Sequence, residues 1–260
     1  MKKNMKKNKI RLAISGIYGR MGQEILKIIN QENNNISLNG ILEKKNLINN
    51  KSKVLYKSNY LQVQSDLLSI INDFDILIDF TNPDTTINYL NICKKYNKKM
   101  VIGTTGFTEK EKIIIKEASK KIAIVFTSNF SQGINILFKI LKNITEIFCI
   151  NQQENLDIDI IEKHHKKKID SPSGTALFIK DIIDQSCKKY NFLQKIFFHS
   201  IRAGDIPGEH KIIFSLMGEQ IELTHKALNR IPFARGAVKA AIWLIKKETG
   251  IYNMEHVLNI

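Results

Sequence analysis

A glycine-rich turn between a strand and a helix is the feature that most restricts the fold. Residues 10–15 form a short apolar run, Gly16, Gly19 and Gly22 follow, and a helical apolar period extends through residues 23–29. Glycine lets the backbone approach a pyrophosphate closely, and the unpaired N–H groups at a helix start attract its charge. This order predicts a dinucleotide-binding βαβ unit. The spacing Gly-x-x-Gly-x-x-Gly differs from the commoner Gly-x-Gly-x-x-Gly, so simple turn and packing glycines are the alternative.

An acidic residue at the end of the second predicted strand extends the nucleotide hypothesis. That strand covers residues 36–42 and is followed by Glu43, about 20 residues after the last glycine of the turn. A carboxylate in this place usually accepts hydrogen bonds from the adenosine ribose hydroxyls. Lys44 and Lys45 follow and could bind a 2′-phosphate, so NADH and NADPH are both admissible. The competing interpretation is a solvated charged triplet.

Three further apolar strands give the pattern of a parallel sheet. They are predicted at residues 75–80, 100–102 and 122–126, and strands that alternate with helices are typical of βαβ units. Each strand ends in a loop of small polar residues, and these loops are residues 81–83, 103–107 and 127–131. Since the carboxyl ends of parallel strands line the ligand crevice, we expect the loops to face the nicotinamide half of a dinucleotide.

The second half of the chain has a different pattern. Residues 211–217 and 220–225 flank Gly218-Glu219, which predicts an antiparallel hairpin with glycine first in the turn. Residues 234–247 have a helical period with one apolar face, and we expect this helix to pack back on the first domain. The Asn- and Lys-rich residues 46–59 are expected to form a loose surface connection.

Two domains are therefore predicted. The fold class is α/β, with a Rossmann-type parallel-sheet dinucleotide-binding domain and a smaller α+β domain. The first domain takes residues 1–134 and 230–260, and the second takes residues 135–229. A chain of 260 residues is long enough to bury a large core.

A basic, histidine-rich run marks the candidate catalytic segment. Residues 162–176 contain two adjacent imidazoles, a run of lysines and the polar turn Ser-Pro-Ser-Gly-Thr, and they follow an alternating strand pattern over residues 156–161. With Ser173 or Thr175 as cap, the helix that follows would point free N–H groups at a carboxylate or phosphate. The run predicts a site for proton donation to an anion. The alternative is a solvated positive loop.

The net charge of +15 would by itself favour a polyanionic partner. The lysines, however, are scattered through every segment together with abundant Asn and Ile, which share A/T-rich codons, and the aromatic residues show no base-stacking pattern. We therefore expect no nucleic-acid partner. The apolar stretch after the basic residues 1–9 is too short for a signal peptide or a membrane span, so these residues are predicted to be an irregular tail and no membrane partner is expected.

The cysteines and the other histidines show no metal-binding pattern. Cys93, Cys149 and Cys187 are odd in number and far apart, which argues against a disulfide framework. The histidines that lack both i,i+4 and cysteine-associated spacing are His199, His210 and His225. We expect them to be surface or supporting residues unless folding brings one of them to the candidate catalytic segment. We expect no metal and a cytoplasmic location.

Six segments, in order along nearly the whole chain, carry a family resemblance. They are Gly16-Ile17-Tyr18-Gly19-Arg20-Met21-Gly22, Ile78-Asp79-Phe80-Thr81, Val101-Ile102-Gly103-Thr104-Thr105-Gly106, Ser128-Asn129-Phe130-Ser131, residues 162–176 and Arg202-Ala203-Gly204-Asp205. Together they closely resemble the dihydrodipicolinate reductases of bacterial lysine and diaminopimelate biosynthesis. The run His-His-x-x-Lys-x-Asp-x-Pro-Ser-Gly-Thr is far more specific to that family than the glycine turn.

The resemblance implies a homotetrameric reductase that passes hydride from NADH or NADPH to a cyclic unsaturated dicarboxylate, 4-hydroxy-tetrahydrodipicolinate, giving tetrahydrodipicolinate. Its second domain would bind substrate and mediate oligomerisation. By the same likeness His164 is the proton donor or acceptor and Lys168 is the second proton donor. The residues implied to hold substrate carboxylate are His165, Ser173, Gly174 and Thr175. The residues implied to contact the cofactor are Gly16, Ile17, Tyr18, Gly19, Arg20, Met21, Glu43, Lys44, Gly103, Thr104, Thr105, Thr127, Ser128, Asn129 and Phe130.

The chemistry of such a reaction suits these residue types. Hydride addition to a carbon conjugated with an imine leaves electron density on the neighbouring carbon and nitrogen, so an acid must supply a proton. An imidazole with a pKa near 6.5, raised by a bound dianion, can be that acid. Lysines neutralise the two carboxylates, and closure of the two domains is expected to exclude water.

The chain departs from the family pattern in two places. Tyr18 stands where relatives usually have a small residue, and the segment between Tyr190 and Arg202 is shorter than in many relatives.

Other functions remain as alternatives. A homoserine or aspartate dehydrogenase would lack the double-histidine run, and a hydrolase would need a Gly-x-Ser-x-Gly elbow, which is not present. A redox-state sensor that binds nucleotide without turnover would have no need of His164 with Lys168.

Overall fold

The described part of the chain divides into two compact units. The computed structural model describes residues 9–31, 35–49, 51–152, 155–192 and 194–260. Unit 1 takes the described residues up to Phe130 together with Phe233–Asn259, and unit 2 takes those of Ser131–Pro232 together with Ile260. Apart from Lys9, the predicted basic tail lies outside the described residues.

The secondary structure alternates strands and helices through the first half. The strands and α-helices, in chain order, are β1 (Ile10–Ser15), α1 (Arg20–Gln31), β2 (Ile36–Leu42), β3 (Lys53–Tyr56), β4 (Asn59–Gln62), β5 (Ile76–Asp79), α2 (Pro83–Lys95), β6 (Lys99–Ile102), α3 (Glu109–Ser119), β7 (Ala123–Phe126), α4 (Gln132–Ile150), β8 (Asp157–His164), α5 (Gly174–Lys189), β9 (Ile196–Arg202), β10 (Gly208–Leu216), β11 (Glu219–Ala227), α6 (Ile231–Leu244), β12 (Gly250–Tyr252) and α7 (Met254–Leu258). Across the described residues, no helix has both the length and the apolar character needed to span a membrane.

Unit 1 is built on a parallel sheet. Among the described residues its six strands lie in the order β12-β7-β6-β5-β1-β2, and every neighbouring pair is parallel. The chain runs from β1 outward to β2 and returns to the other side of β1 at β5, so the topological switch point lies between β1 and β5. Strands β5, β6 and β7 are almost wholly buried, which explains their continuous apolar sequences. The predicted Rossmann-type architecture is confirmed.

The prediction for residues 46–59 was wrong. Instead of a loose connection, β3 and β4 form an antiparallel hairpin. Val54 and Tyr56 turn to its buried side and alternate with exposed neighbours, as in any half-buried strand. Lys57 adopts a φ of 53° in the turn between the two strands. The alternation of buried and exposed side chains is short here, and the polar composition of the segment hid it in the sequence.

Unit 2 is a mixed sheet with helices on one face. In the part that the structure describes, its four strands lie in the order β11-β10-β8-β9, with β10 antiparallel to β8 and β11, and β8 parallel to β9. Alternate residues of β8 and β10, including Ile160 and Ile212, are buried in one cluster with Phe138 of α4 and Ile179 of α5. This architecture confirms the smaller domain of mixed sheet and helices.

Two local predictions in unit 2 need correction. Leu216 pairs with Glu219, so the hairpin turn is Met217-Gly218 and glycine stands second, where its φ of 83° is needed. The predicted turn, with Gly218 first, was one residue out of register. Strand β8 also runs beyond the predicted residues 156–161 and ends at His164, so the candidate catalytic run begins inside a strand.

Helix α6 approaches the backbone of unit 1 very closely. A Cβ atom on Gly236 would lie 1.8 Å from the carbonyl oxygen of Phe130. No side chain fits at position 236 unless the helix or the Phe130 segment moves. The close approach of the two backbone segments therefore requires glycine.

Replacing Gly236 by Ala is therefore expected to destabilise the protein, although alanine is the better helix former. Overpacking of this kind costs about 1–3 kcal/mol, which urea denaturation measures as a fall in the free energy of unfolding. Lys239→Ala, at an exposed position of the same helix, is the matched control and should change this free energy by less than about 0.5 kcal/mol. A Gly236→Ala protein as stable as wild type would contradict the close approach.

Candidate active site

Two positions of the glycine turn in unit 1 exclude side chains. Gly16 has a φ of 73°, and a Cβ there would lie 2.7 Å from the carbonyl oxygen of Phe80. A Cβ on Gly22 would lie 2.3 Å from the carbonyl oxygen of Gly16. Helix α1 begins at Arg20, so its unpaired N–H groups stand at this turn. A compact glycine backbone at a helix start fits the pyrophosphate of a dinucleotide.

Glu43 fastens the end of β2 to the turn. Its carboxylate accepts hydrogen bonds from the backbone N–H of Tyr18 at 2.9 Å and from that of Lys44 at 2.8 Å. Glu43 is buried, whereas the ring of Tyr18 is exposed. The bulky residue at position 18 is thus accommodated by pointing to solvent, and its backbone keeps the turn in place.

A cleft of about 330 Å³ opens beside the turn at the carboxyl ends of β1, β2 and β5. The predicted cofactor residues that line it are Gly16, Tyr18, Gly19, Glu43 and Lys44. Those that fall outside its lining, all of them described residues, are Ile17, Arg20, Met21, Gly103, Thr104, Thr105, Thr127, Ser128, Asn129 and Phe130. Phe80 and Thr81 also line the cleft, so it lies at the switch point of the sheet.

A buried carboxylate that the sequence reasoning missed ties the strand-end loops together. Asp79, the last residue of β5, is fully buried and accepts hydrogen bonds from four hydroxyl groups, those of Ser15, Thr81, Thr86 and Thr104. Burial raises the pKa of Asp79, and the hydroxyl donors act against that rise. Ser15 precedes the glycine turn, and Thr81 and Thr104 belong to two of the predicted loops. One side chain therefore ties together the end of β1, helix α2 and two strand-end loops.

In unit 2 the strand register lines up an acid with an imidazole and a hydroxyl group. Glu162 of β8 lies opposite His210 of β10 on one side and Ser200 of β9 on the other. His164, two residues along β8, lies opposite Arg202. Glu162, His164 and His210 all face the buried side of the sheet.

Glu162 is held as a carboxylate. Its Oε1 accepts from Ser200 Oγ at 2.7 Å, from Arg202 Nη2 at 2.6 Å and from the Ser173 backbone N–H at 3.3 Å. Burial alone would raise the pKa of Glu162, but these hydrogen bonds and the charge of His164 outweigh it and lower the pKa to about 2. The group is therefore ionised at neutral pH.

The two buried imidazoles, those of His164 and His210, both have lowered pKa values. His164 Nδ1 lies 2.7 Å from Glu162 Oε2, and the rings of His164 and His210 make an edge contact with centroids 5.1 Å apart. Burial lowers the pKa of His164, whereas the Glu162 carboxylate raises it. The positive charges of Lys168 and Arg202 lower it further, so the net shift of the pKa is downward. Burial, together with the charge of His164, lowers the pKa of His210 to about 3, so His210 is neutral.

The loop after β8 supplies the positive groups. Lys168 Nζ forms an ion pair with Asp170 at 2.7 Å, and the Lys168 backbone N–H donates to the His165 carbonyl at 3.0 Å. Ser173 is the N-cap of α5, because its Oγ accepts from the Ala176 N–H at 3.2 Å, and it also lies 3.2 Å from His210 Nε2. Of the predicted substrate residues, Ser173 is buried, whereas His165, Gly174 and Thr175 are at least partly exposed.

The acid and the two imidazoles also form a group with metal-ligand spacing. Within the described ranges, the ligand atoms of Glu162, His164 and His210 lie within 4.8 Å of one another. The Arg202 guanidinium, 2.6 Å from the same carboxylate, puts a fixed positive charge where a cation would have to bind. The arrangement therefore suits proton transfer better than metal binding.

Sequence reasoning assigned no role to Glu162, Ser200, Arg202 and His210. One signal was available: Ile158, Ile160, Glu162 and His164 alternate along β8, so the buried face of an apolar strand continues into an acid and an imidazole. A charged side chain on a core face needs partners and marks a candidate site. The partners themselves depend on strand register, which a single sequence does not specify.

The comparisons with known proteins cover both units. The family model described as "Dihydrodipicolinate reductase, N-terminus" matches residues 10–130, and the one described as "Dihydrodipicolinate reductase, C-terminus" matches residues 133–258. A solved structure, a dipicolinate-bound dihydrodipicolinate reductase from Paenisporosarcina sp. TG-14, is 25% identical with a TM-score of 0.72, covering 95% of this chain and 99% of that one.

Curated relatives are closer in sequence. A 4-hydroxy-tetrahydrodipicolinate reductase from Wigglesworthia glossinidia brevipalpis is 45% identical over 100% of this chain and 97% of the relative. A relative of the same name from Buchnera aphidicola subsp. Baizongia pistaciae is 44% identical over 98% of this chain and 100% of the relative. This chain belongs to the dihydrodipicolinate reductase family.

Proposed function

We propose that this chain uses NADH or NADPH to reduce 4-hydroxy-tetrahydrodipicolinate to tetrahydrodipicolinate in lysine and diaminopimelate biosynthesis. The observation that carries the proposal is the buried Glu162–His164 pair beside the Lys168 loop and the start of α5. That group combines a proton donor with anion-binding groups. The glycine cradle and the switch-point cleft of unit 1 support a nicotinamide nucleotide as reductant, and the family membership supports the reaction.

The residues of unit 1 would hold the nucleotide. The backbone at Gly16, Gly19 and Arg20 would bind its pyrophosphate at the start of α1, and Glu43 or Lys44 would meet the adenosine ribose. When bound, the nucleotide supplies a hydride. Asp79 would keep the surrounding loops in a binding-competent conformation through its four hydroxyl donors.

The residues of unit 2 would hold the substrate and move protons. Lys168, His165 and the N–H groups at the start of α5, from Gly174 and Thr175, would bind the carboxylates, since ammonium groups and helix N-termini favour anions. His164 would give a proton to the ring as the hydride adds, with Lys168 as second donor. Net reduction adds one hydride and one proton, and the 4-hydroxyl group leaves as water.

Replacing His164 by Ala is expected to lower kcat about 10²–10⁴-fold, the usual contribution of general acid catalysis, while nucleotide affinity stays unchanged. Lys168→Ala should lower kcat and also raise KM for the dicarboxylate, because it removes a positive charge from the substrate. Initial rates with enzymatically generated substrate, together with nucleotide binding by fluorescence, measure both effects. Lys167→Ala, at an exposed position of the same loop, is the control and should retain activity.

A sensor that binds nucleotide without turnover would behave differently. It would show no substrate-dependent oxidation of NADH or NADPH in the wild-type protein, and His164→Ala would then change nothing measurable. That pair of results would overturn the proposed function.

The preference for NADH or NADPH is expected to depend on Glu43 and Lys44 at the end of β2. Glu43→Ala removes an acceptor for ribose hydroxyls and a support of the Tyr18 backbone, so it should weaken NADH more than NADPH. Lys44→Ala removes a cation near a 2′-phosphate and should weaken NADPH more than NADH. Dissociation constants for both nucleotides with each variant test this, and equal losses with both nucleotides would refute it.

We further propose a cytoplasmic homotetramer, without nucleic-acid or membrane partners, assembled through the uncovered face of the unit 2 sheet. Phe197 and Ile201 of β9 are exposed, and the register places them beside Asp159 and Lys163 on the face opposite α4 and α5. Exposed apolar side chains on such a face are typical of an interface between subunits. The free thiols of all three cysteines agree with a reducing location.

Light scattering is expected to give four times the 29.9 kDa chain mass. Phe197→Glu should reduce the assembly to smaller species, because it puts a charge at an apolar contact. Lys142→Glu, at an exposed position of α4 on the opposite side, should leave the mass unchanged. A wild-type protein that is monomeric at micromolar concentration would exclude the tetramer.

A further inference from the structure

We propose that Glu162 is a positioning residue that fixes the tautomer of His164, so that Nε2 is the nitrogen that exchanges a proton with substrate. The inference rests on the proposed function for its catalytic meaning, but its structural content concerns the wild-type protein alone. It assigns a task to a buried acid that the reaction itself does not consume.

The contact between the two side chains determines where the imidazole proton lies. His164 Nδ1 is 2.7 Å from Glu162 Oε2, and both groups are buried. The contact is not aligned as a regular hydrogen bond, but a bare Nδ1 would place its lone pair beside the carboxylate oxygen and be repelled by it. A carboxylate can only accept, so the contact favours a hydrogen on Nδ1 in the neutral ring as well as in the cation. The other nitrogen, Nε2, is left to gain and lose the proton.

Glycine at position 208 keeps a side chain away from the opposite nitrogen. A Cβ on Gly208, on the neighbouring strand β10, would lie 3.3 Å from His164 Nε2. Any larger residue at position 208 would crowd that nitrogen. Position 208 therefore places no side chain against the end of the ring that Glu162 does not contact.

The division of hydrogen bonds between the two oxygens of Glu162 supports this task. Oε1 accepts from Ser200, Arg202 and Ser173, which come from β9 and the start of α5. Oε2 is left to face His164. Three donors on two separate chain segments therefore fix the orientation of the carboxylate, and that carboxylate orients the ring.

The charges around His164 set the sign of the expected pH effect. Glu162 faces it from its own strand, Arg202 from β9, the neutral His210 from β10 and Lys168 from the following loop. Glu162 is the negative charge among them and raises the pKa of His164, whereas Lys168 and Arg202 lower it. Replacing Glu162 by a neutral residue must therefore lower the pKa of His164 further.

The first test is ¹⁵N NMR of the wild-type protein, with the His164 signals assigned by comparison with His164→Gln. At a pH above the His164 titration, Nδ1 is expected to be protonated and Nε2 bare. This measurement needs no turnover, so it remains decisive if the proposed reaction fails. A wild-type His164 protonated at Nε2 would overturn the inference, even if the enzyme is an active reductase.

The second test is Glu162→Gln, which keeps the shape but allows the amide to donate to Nδ1. We expect the Nδ1–H tautomer to lose its dominance, kcat to fall about 100-fold, and nucleotide affinity to stay unchanged. In kcat/KM, the loss of activity with rising pH should move to lower pH. An unchanged tautomer and pH profile in a folded Glu162→Gln protein would refute the proposal, and if the variant does not fold the wild-type spectrum decides.

Glu209→Gln is the matched control. Glu209 lies on β10 next to His210 but pairs with Lys163 and Lys226 instead of an imidazole. The same chemical change there should leave the His164 tautomer and the pH profile as in wild type. A purely electrostatic effect of removing one acid from the sheet would appear equally in both variants and would contradict a specific role for Glu162.

Discussion

The burial of one carboxylate organises unit 2. A charged side chain that leaves water needs several hydrogen bonds to offset its lost hydration. Glu162 obtains them from β9 and from the start of α5, and it also lies in close contact with His164 on its own strand. Because these donors come from different segments, the segments must dock in one register for the charge to be satisfied. His164, the proposed catalytic histidine, is then positioned by the same packing that satisfies the buried acid.

Unit 1 also contains a buried carboxylate that holds several chain segments together. Asp79 ends a wholly buried strand and binds four hydroxyl groups, which come from β1, from α2 and from two strand-end loops. The neutral donors leave the pKa of Asp79 raised by burial, whereas the hydrogen bonds from Ser200, the charged Arg202 and Ser173 lower that of Glu162. The difference agrees with the proposed roles: loops around a cleft need a fixed geometry, whereas a histidine that donates protons is supported by a negative charge beside it.

The sequence predicted the parts of the fold that local patterns determine. Strands β1 and β2, the glycine turn and the alternation of strands with helices are read directly from apolar periodicity and glycine placement. The hairpin of β3 and β4 was missed because four-residue strands in a polar segment give a weak period, and the turn at Gly218 was misplaced because glycine can occupy either turn position. The basic run with His164 and Lys168 could be found from composition, yet His210 could not, since only strand register brings it to Glu162.

The lowered pKa of His164 also fits a proton donor. Without substrate, burial and the cations Lys168 and Arg202 favour the neutral ring. A dicarboxylate placed among these groups would add two negative charges, neutralise the cations and raise the pKa of the imidazole at that moment. Glu162 cannot supply this change, because its charge is constant across the neutral range. In the proposed mechanism, Glu162 thus fixes which nitrogen of His164 exchanges the proton, and bound substrate raises the pKa of that nitrogen, so that protonation of His164 is linked to occupancy of the site.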